Sequence, residues 1–281
     1  MKQTSYFLEK EIDNIKKMYL EDNNTPKQIG EYYNVPRHKI NYLLKKYNIQ
    51  KTVSEAKRKY KINEHYFDKI DTSNKAYILG FLYADGYNNR INNTIVLSLN
   101  TKDEDILLKI RDELDSDKPL YHHTYINKSD EIERHMSELN FASKHMCEQL
   151  EKFGMIQNKT FSIDFPKFLS EELISHFIRG YFDGDGCACL FKDNTRKLGK
   201  SFQISMMSSI QLCEHMQEYL SNKQNIHFKV NHPCGKKEEN GIIRSHSKEE
   251  IKKFINYIYK DADLYMERKY EKCLEILEKI N

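Results

Sequence analysis

The sequence contains no apolar run approaching the ~20 residues that a bilayer-spanning helix requires, which argues against a helical membrane protein. Met1 to Lys10 carry no apolar core, so a secretory signal is not expected and the cytoplasm is the expected location. The six cysteines, Cys147, Cys187, Cys189, Cys213, Cys234 and Cys273, include no C-x-x-C pair and are irregularly spaced. That pattern argues against a zinc ribbon and against a disulfide scaffold. His232-Pro233-Cys234 is a weak metal-ligand spacing and reads as a loop after a strand. An ordinary Met1-Lys2-Gln3 start and the lack of a C-terminal His-Asn argue against an intein.

What remains is a globular composition, 31% charged and 39% hydrophobic, over 281 residues, which is room for one large domain and one small one. The net charge of +3 is unevenly placed. Residues 1–70 hold 15 Lys/Arg against 9 Asp/Glu, so that block is +6 and the remainder is −3. A basic N-terminal block points to a polyanionic partner.

Within that block, Ile12, Ile15, Met18 and Tyr19 recur at helical spacing. Thr25-Pro26-Lys27-Gln28 then offers a capping residue, a proline suited to the first helical position and a capping-box glutamine. The helix it opens carries Ile29, Tyr32 and Tyr33. Asn34-Val35-Pro36 turns the chain into a third helix with Ile40, Leu43, Leu44 and Tyr47 on one face and Arg37, His38, Lys39, Asn41, Lys45 and Lys46 on the other. A helix, a short turn and a basic helix form a helix-turn-helix pattern, in which the second helix enters a major groove. Residues 1–50 are accordingly read as a DNA-binding domain, with Arg37, His38, Lys39, Asn41 and Lys45 as its contact residues. Residues 51–72 read as a basic linker, scattered with Lys51, Lys57, Arg58, Lys59 and Lys61 and anchored at its end by Tyr66 and Phe67.

The most informative feature is a repeat. Ile78-Leu79-Gly80-Phe81-Leu82-Tyr83-Ala84-Asp85-Gly86 matches Ile178-Arg179-Gly180-Tyr181-Phe182-Asp183-Gly184-Asp185-Gly186 at an offset of 100 residues throughout. Gly80 and Ala84 lie four apart, on one helical face, as do Gly180 and Gly184. Small residues on matched faces let two helices approach backbone to backbone. Tyr77, Ile78, Phe81 and Leu82 in one copy, and Phe177, Ile178, Tyr181 and Phe182 in the other, flank that seam. Gly86 and Gly186 are expected to end the helices as C-terminal glycines. Asp85 and Asp185 then fall side by side at two helix C-termini. Helix dipoles and mutual repulsion make that a poor place for anions. Divalent cations resolve the conflict: hard oxygen ligands suit Mg²⁺ (or Mn²⁺), with the backbone beside Gly86 and Gly186 adjacent.

These paired segments resemble the two motifs of single-chain LAGLIDADG homing endonucleases. The resemblance covers about residues 66–281. It implies an α+β fold: two pseudo-symmetric αββαββα half-domains, at 73–165 and 166–281 with a C-terminal helix, form a saddle over the DNA major groove. A small all-α helix-turn-helix domain precedes them. It implies metal binding by Asp85 and Asp185, and a basic residue near each metal. Lys159, in Gln157-Asn158-Lys159-Thr160, and Lys269, beside its competitor Arg268, occupy similar places and could neutralise developing charge. Asp183, opposite Tyr83, is read as a surface or packing residue and not as catalytic.

The periodicity agrees with such a fold. In Thr94–Asn100, Ile95, Leu97 and Leu99 alternate with Thr94, Ser98 and Asn100, with Val96 an imperfection; Phe202, Ile204 and Met206 alternate with Ser201, Gln203 and Ser205. The polar sets are candidate base-edge contacts. Helices are expected near Asp103–Leu114, Lys144–Phe153, Ile210–Leu220, Lys248–Tyr259 and Ala262–Lys279, and strands near Leu120–Ile126, Arg134–Phe141, Ile226–Val230 and Gly241–Arg244. The expected activity is metal-dependent hydrolysis of both strands of a long duplex site by a monomer. The alternatives are a maturase acting on host intron RNA and a non-catalytic DNA-binding regulator.

Overall fold

The computed structural model describes residues 7–22, 24–49, 59–127, 129–156, 163–192, 200–233 and 239–280. The chain separates into two compact units, residues 1–59 and 60–281. Among the described residues, no helix is long and apolar enough to cross a membrane.

In the first unit, α1 (Ile12–Leu20), α2 (Pro26–Tyr32) and α3 (Arg37–Lys46) surround a small core of Leu8, Ile15, Tyr19, Ile29, Ile40, Leu43 and Leu44. The capping box forms: the Gln28 backbone N–H donates to Thr25 Oγ1 at 3.3 Å, and Thr25 N–H donates to Gln28 Oε1 at 2.8 Å. Asn34 takes the left-handed backbone that turns the chain into α3, with φ 52°. Two aromatic residues expected on the apolar faces lie outward instead. Tyr32 is 68% exposed, and Tyr47, one residue beyond the end of α3, is 41% exposed. The aliphatic residues and Tyr19 fill this small core, and the rings of Tyr32 and Tyr47 project past it.

The second unit begins at Tyr60, and Tyr66 and Phe67 are buried in its core. It is a mixed α+β assembly with two antiparallel four-stranded sheets. After α4 (Ser73–Asp85) come β1 (Gly86–Asn89), β2 (Thr94–Asn100), a 3₁₀ turn (Thr101–Asp103), α5 (Glu104–Glu113), β3 (Tyr121–Ile126), β4 (Glu133–Ala142) and α6 (Lys144–Lys152). The second half runs α7 (Glu171–Asp185), β5 (Gly186–Lys192), β6 (Lys200–Ser209), α8 (Ile210–Gln224), β7 (Lys229–Asn231), β8 (Asn240–Ser245), α9 (Lys248–Tyr259) and α10 (Glu267–Ile280). The strand orders are β1-β2-β4-β3 and β5-β6-β8-β7, so the two halves have one topology.

Alternation decides which face of each sheet is covered. Ile95, Leu97 and Leu99 of β2 are buried beneath α5 and α6, as are Phe202, Ile204 and Met206 of β6 beneath α8 and α9. A single apolar cluster runs through both halves, with α4 and α7 at its centre. From Ala76 to Tyr83, α4 is apolar on every face, as a helix buried on all sides must be, whereas α7 buries Arg179 and Asp183 among its apolar residues. Ser73–Asp85 is capped by Thr72, whose hydroxyl accepts from Lys75 N–H at 3.3 Å.

Candidate active site and nucleic-acid interface

The crossing of α4 and α7 depends on its glycines. A methyl group placed on Gly80 would lie 2.0 Å from the Phe177 carbonyl oxygen, and one on Gly180 would lie 1.9 Å from the Tyr77 carbonyl oxygen. No side chain fits at either point. The two contacts are reciprocal across the 100-residue offset, as a pseudo-two-fold axis between the helices requires. One turn further on, the corresponding position of Gly184 is 2.3 Å from Ala84 Cβ and 3.1 Å from Asp85 Oδ2. The two helix C-termini are therefore adjacent, and Asp85 leans over the end of α7.

Gly86 and Gly186 do end the helices, for a different reason from the one expected. Their backbones are extended (φ −77°, ψ 146° and φ −79°, ψ 153°), and they open β1 and β5 directly. A left-handed cap is absent. The glycines are needed for space, since a side chain would meet the Leu82 carbonyl oxygen at 2.6 Å and the Phe182 ring at 2.2 Å. This abrupt change from helix to strand carries the chain from each aspartate straight into a sheet.

Among the described residues, Lys269, at the start of α10, places a cation at this centre. It is buried, and its ammonium donates to the Phe182 and Gly184 carbonyl oxygens at 2.8 and 2.7 Å. These acceptors belong to the last turn of α7, where the helix dipole favours a cation. Burial lowers the Lys269 pKa, while the negative charges of Asp183, Asp85 and Asp185 raise it. The same lysine thus feels both motif aspartates. Arg268 is committed elsewhere: its guanidinium forms a fork on Asp103, with Nε–Oδ1 2.7 Å and Nη2–Oδ2 3.0 Å. Lys159 lies outside the described residues, as does Cys234.

A cleft of about 310 Å³ opens beside Asp185, bounded by Tyr83, Ala84, Tyr181, Ser208 and Asn240. The Tyr181 hydroxyl donates to the Met207 carbonyl at 2.9 Å and lies 3.4 Å from Asp185 Oδ2. Burial holds the Tyr181 phenol well above its ordinary pKa, so it is a neutral donor here.

Asp183 has a role that its position in the motif did not reveal. It is fully buried and accepts from Tyr77 Oη at 2.8 Å, Tyr259 Oη at 3.0 Å and the Met266 backbone N–H at 2.8 Å. Burial lifts its pKa to about 6, against these hydrogen bonds and Lys269, which pull it down. It fastens the 259–266 segment, and with it the start of α10, to α7. Arg179 is buried on the same helix, donating to the Leu264 and Ile258 carbonyl oxygens at 2.9 Å each. The mismatch of Asp183 with Tyr83 was the only sign in the sequence that this position differs between the halves.

The uncovered faces of the two sheets are not equivalent. On β2, Thr94, Val96, Ser98 and Asn100 share the open face and are half-buried. Pairing adds Tyr87, Glu138, Asn140 and Tyr121 to that face, none of which stood out in the sequence. On β6, Gln203 is half-buried, but Ser201 and Ser205 are only 8% and 6% exposed. The cause is size and position: β6 is a central strand, and Ser205 sits between Cys187 of β5 and Arg244 of β8, both longer. The rims here belong to Cys187, Phe191, Met207 and Arg244. In the first unit, Arg37, His38, Lys39, Asn41 and Lys45 all lie on α3, clear of the buried Ile40, Leu43 and Leu44.

No sequence-family model matches the chain, and no curated protein matches it in sequence. Solved structures do. The LAGLIDADG homing endonuclease I-GzeII in complex with its DNA target is similar over 73% of this chain and 89% of its own, with a TM-score of 0.50 at 12% identity. The I-LtrWI LAGLIDADG homing endonuclease bound to target DNA covers 78% of this chain and 90% of its own at 16% identity, with a TM-score of 0.49. The likeness is one of fold. With I-GzeII the chain shares the LAGLIDADG architecture of paired central helices and two antiparallel sheets.

Proposed function

We propose that this protein is a site-specific DNA endonuclease that hydrolyses both strands of a duplex target with divalent-metal help. The observation that supports this reading best is the convergence of Asp85 and Asp185 at two adjacent helix C-termini, beside a buried lysine. Structural economy does not explain two carboxylates placed against two negative dipole ends.

The donor set fits Mg²⁺ or Mn²⁺: carboxylate oxygens, with no thiolate or imidazole among the residues just described. A bound divalent ion would polarise the phosphate and lower the pKa of a water nucleophile. Asp85 and Asp185 would hold it, and Lys269 would offset their mutual repulsion and the charge developing on the phosphate. Tyr181 braces Asp185 from the cleft side. The open sheet faces would read the target, through Thr94, Ser98, Asn100 and their neighbours in the first half and through Gln203 and Arg244 in the second. Ser201 and Ser205 need the adjacent rims to move before they reach a base. The first unit would lengthen the footprint, α3 lying in a major groove with Arg37, His38, Lys39, Asn41 and Lys45 toward the DNA. Because one chain supplies both aspartates, a monomer suffices.

Cleavage of a randomised duplex library, with Mg²⁺ and with EDTA, tests this directly. Metal-dependent cuts at one recurring sequence are expected from the wild type, and none from Asp85→Asn or Asp185→Asn. Specific binding without cutting by the wild type would overturn the nuclease reading.

A further inference from the structure

A second cluster of metal-ligating side chains lies outside the acidic centre. His65 and Asp68 sit in the turn that opens the second unit, and His145 is the second residue of α6. His65 Nδ1 is 2.9 Å from Asp68 Oδ2, and His145 Nε2 is 2.5 Å from Asp68 Oδ1. The two imidazole rings are 4.6 Å apart and inclined at 54°. One carboxylate thus stands between two ring nitrogens contributed by segments almost eighty residues apart, and one ligand atom from each of the three residues falls within a 4.8 Å sphere of separations.

We propose that His65, Asp68 and His145 form a binding site for Zn²⁺ or a similar borderline transition-metal ion. This inference stands apart from the nuclease reading and uses none of its residues. Two imidazoles and one carboxylate are the ligands such ions prefer, whereas Mg²⁺ favours oxygen alone. Bonds of about 2.0–2.1 Å at tetrahedral angles would set the ligand atoms roughly 3.3 Å apart, so the carboxylate withdraws by less than about 1 Å from its present contacts and the widest separation, at most 4.8 Å, closes by up to about 1.5 Å. Three protein ligands leave room for water.

The frame that holds them is rigid on both sides. Tyr66 and Phe67, between His65 and Asp68, are 6% and 1% exposed, which fixes the turn against the core and directs its flanking residues outward. Met146 and Cys147, following His145, are fully buried and do the same for α6. The Ser143 hydroxyl, which caps α6, donates to Glu64 at 3.0 Å and forms a second link between the same two segments. The three candidate ligands themselves are exposed or half-exposed, so an ion can enter without opening the core. The ion would act as a clip, joining the chain where it enters the second unit to a helix of the first sheet. A metal that bridges residues 65 and 145 restrains a long loop of the unfolded chain, where such clips act most strongly.

Two states compete for these atoms. Without an ion, each ring nitrogen facing Asp68 carries a proton and donates it to the carboxylate. With an ion, the same nitrogens are deprotonated and their lone pairs bind the metal. The test uses the tag-free full chain carrying Asp85→Asn and Asp185→Asn, so that the acidic centre contributes nothing. Zn²⁺ is titrated calorimetrically, and Co²⁺ is followed by its visible absorption. We expect one equivalent to bind, with no thiolate charge-transfer band, and a thermal midpoint raised by about 5 °C at saturation. Both signals should vanish in His65→Ala/His145→Ala and in the milder His65→Asn, whose site is exposed enough to leave folding intact. Saturable binding that survives these substitutions, a thiolate band, or no binding by the parent would each overturn the assignment and leave a hydrogen-bonded His-Asp-His cluster.

Discussion

The two halves of the second unit share one strand order and one helix crossing, yet they treat the same motif position in opposite ways. In the first half, Tyr83 donates its hydroxyl to the Phe153 carbonyl, at the end of α6, and is 4% exposed. In the second, Asp183 gathers three donors from α4, α9 and the approach to α10. The phenol hydroxyl closes a contact within its own half, while its ring packs edge-on against Phe177 of the other at 5.0 Å. The carboxylate ties down the additional helix that delivers Lys269. The glycines at the crossing, Gly80 and Gly180, are held alike by sterics, while Tyr83 and Asp183, which also touch the opposite helix, have diverged with what each half packs beside them.

That comparison can be broken at three levels. The largest effect is expected from Gly80→Ala and Gly180→Ala, since in each a methyl would stand within 2.0 Å of a backbone carbonyl oxygen that cannot yield. Each should cost about 3 kcal/mol or more, with similar losses for both. Urea denaturation of the two variants side by side would reveal unequal losses, which would sink the idea of a symmetric crossing.

A middling effect should separate the divergent pair. Asp183→Ala leaves three donors buried without an acceptor and should cost about 3 kcal/mol, against about 1 kcal/mol for Tyr83→Phe, which removes a single hydrogen bond. Equal losses would mean that Asp183 is not the fastening point described. Because Asp183 positions the segment that leads to α10, its variant should also weaken cleavage more than Tyr83→Phe does.

The most specific test is a dependence on pH. Asp183 has its pKa raised from 3.8 to about 6, chiefly by burial, so the folded protein holds this proton more tightly than the unfolded chain. The stability that goes with the protonated form is complete below pH 3.8 and is lost as pH rises through about 6. Over that window the wild type should lose at most about 3 kcal/mol relative to Asp183→Asn, which does not titrate. Thermal midpoints of both proteins from pH 4 to pH 7 would measure the difference; parallel curves would show that Asp183 keeps an ordinary pKa.

Much of the architecture was readable from local patterns. Alternation in Thr94–Asn100 placed Ile95, Leu97 and Leu99 on the covered face, and helical spacing located α5, α6, α8, α9 and α10 to within a few residues. The glycines of the repeat implied the close crossing, because only backbone can meet backbone at that distance. The candidate site was legible where it lies inside the motif, at Asp85 and Asp185. Its surroundings were less so. Lys269 and Arg268 are neighbours with similar charge, and only the fold sends one to the end of α7 and the other to Asp103. Ser201 and Ser205 alternate as an open face should, but short side chains on a central strand are shaded by the residues paired with them.

By itself, then, the sequence determined the elements, the duplication and the small-residue seam, since each rests on periodicity or on the steric size of a single residue. Tertiary structure alone decided the partners of the polar groups. Asp183 with Tyr77, Tyr259 and Met266, Arg268 with Asp103, and His65 and Asp68 with His145 join residues from 76 to 165 positions apart, His65 and Asp68 themselves excepted. Hydrogen bonds and charge pairs act over about 3 Å, and no local pattern in a chain encodes which distant segments will come that close.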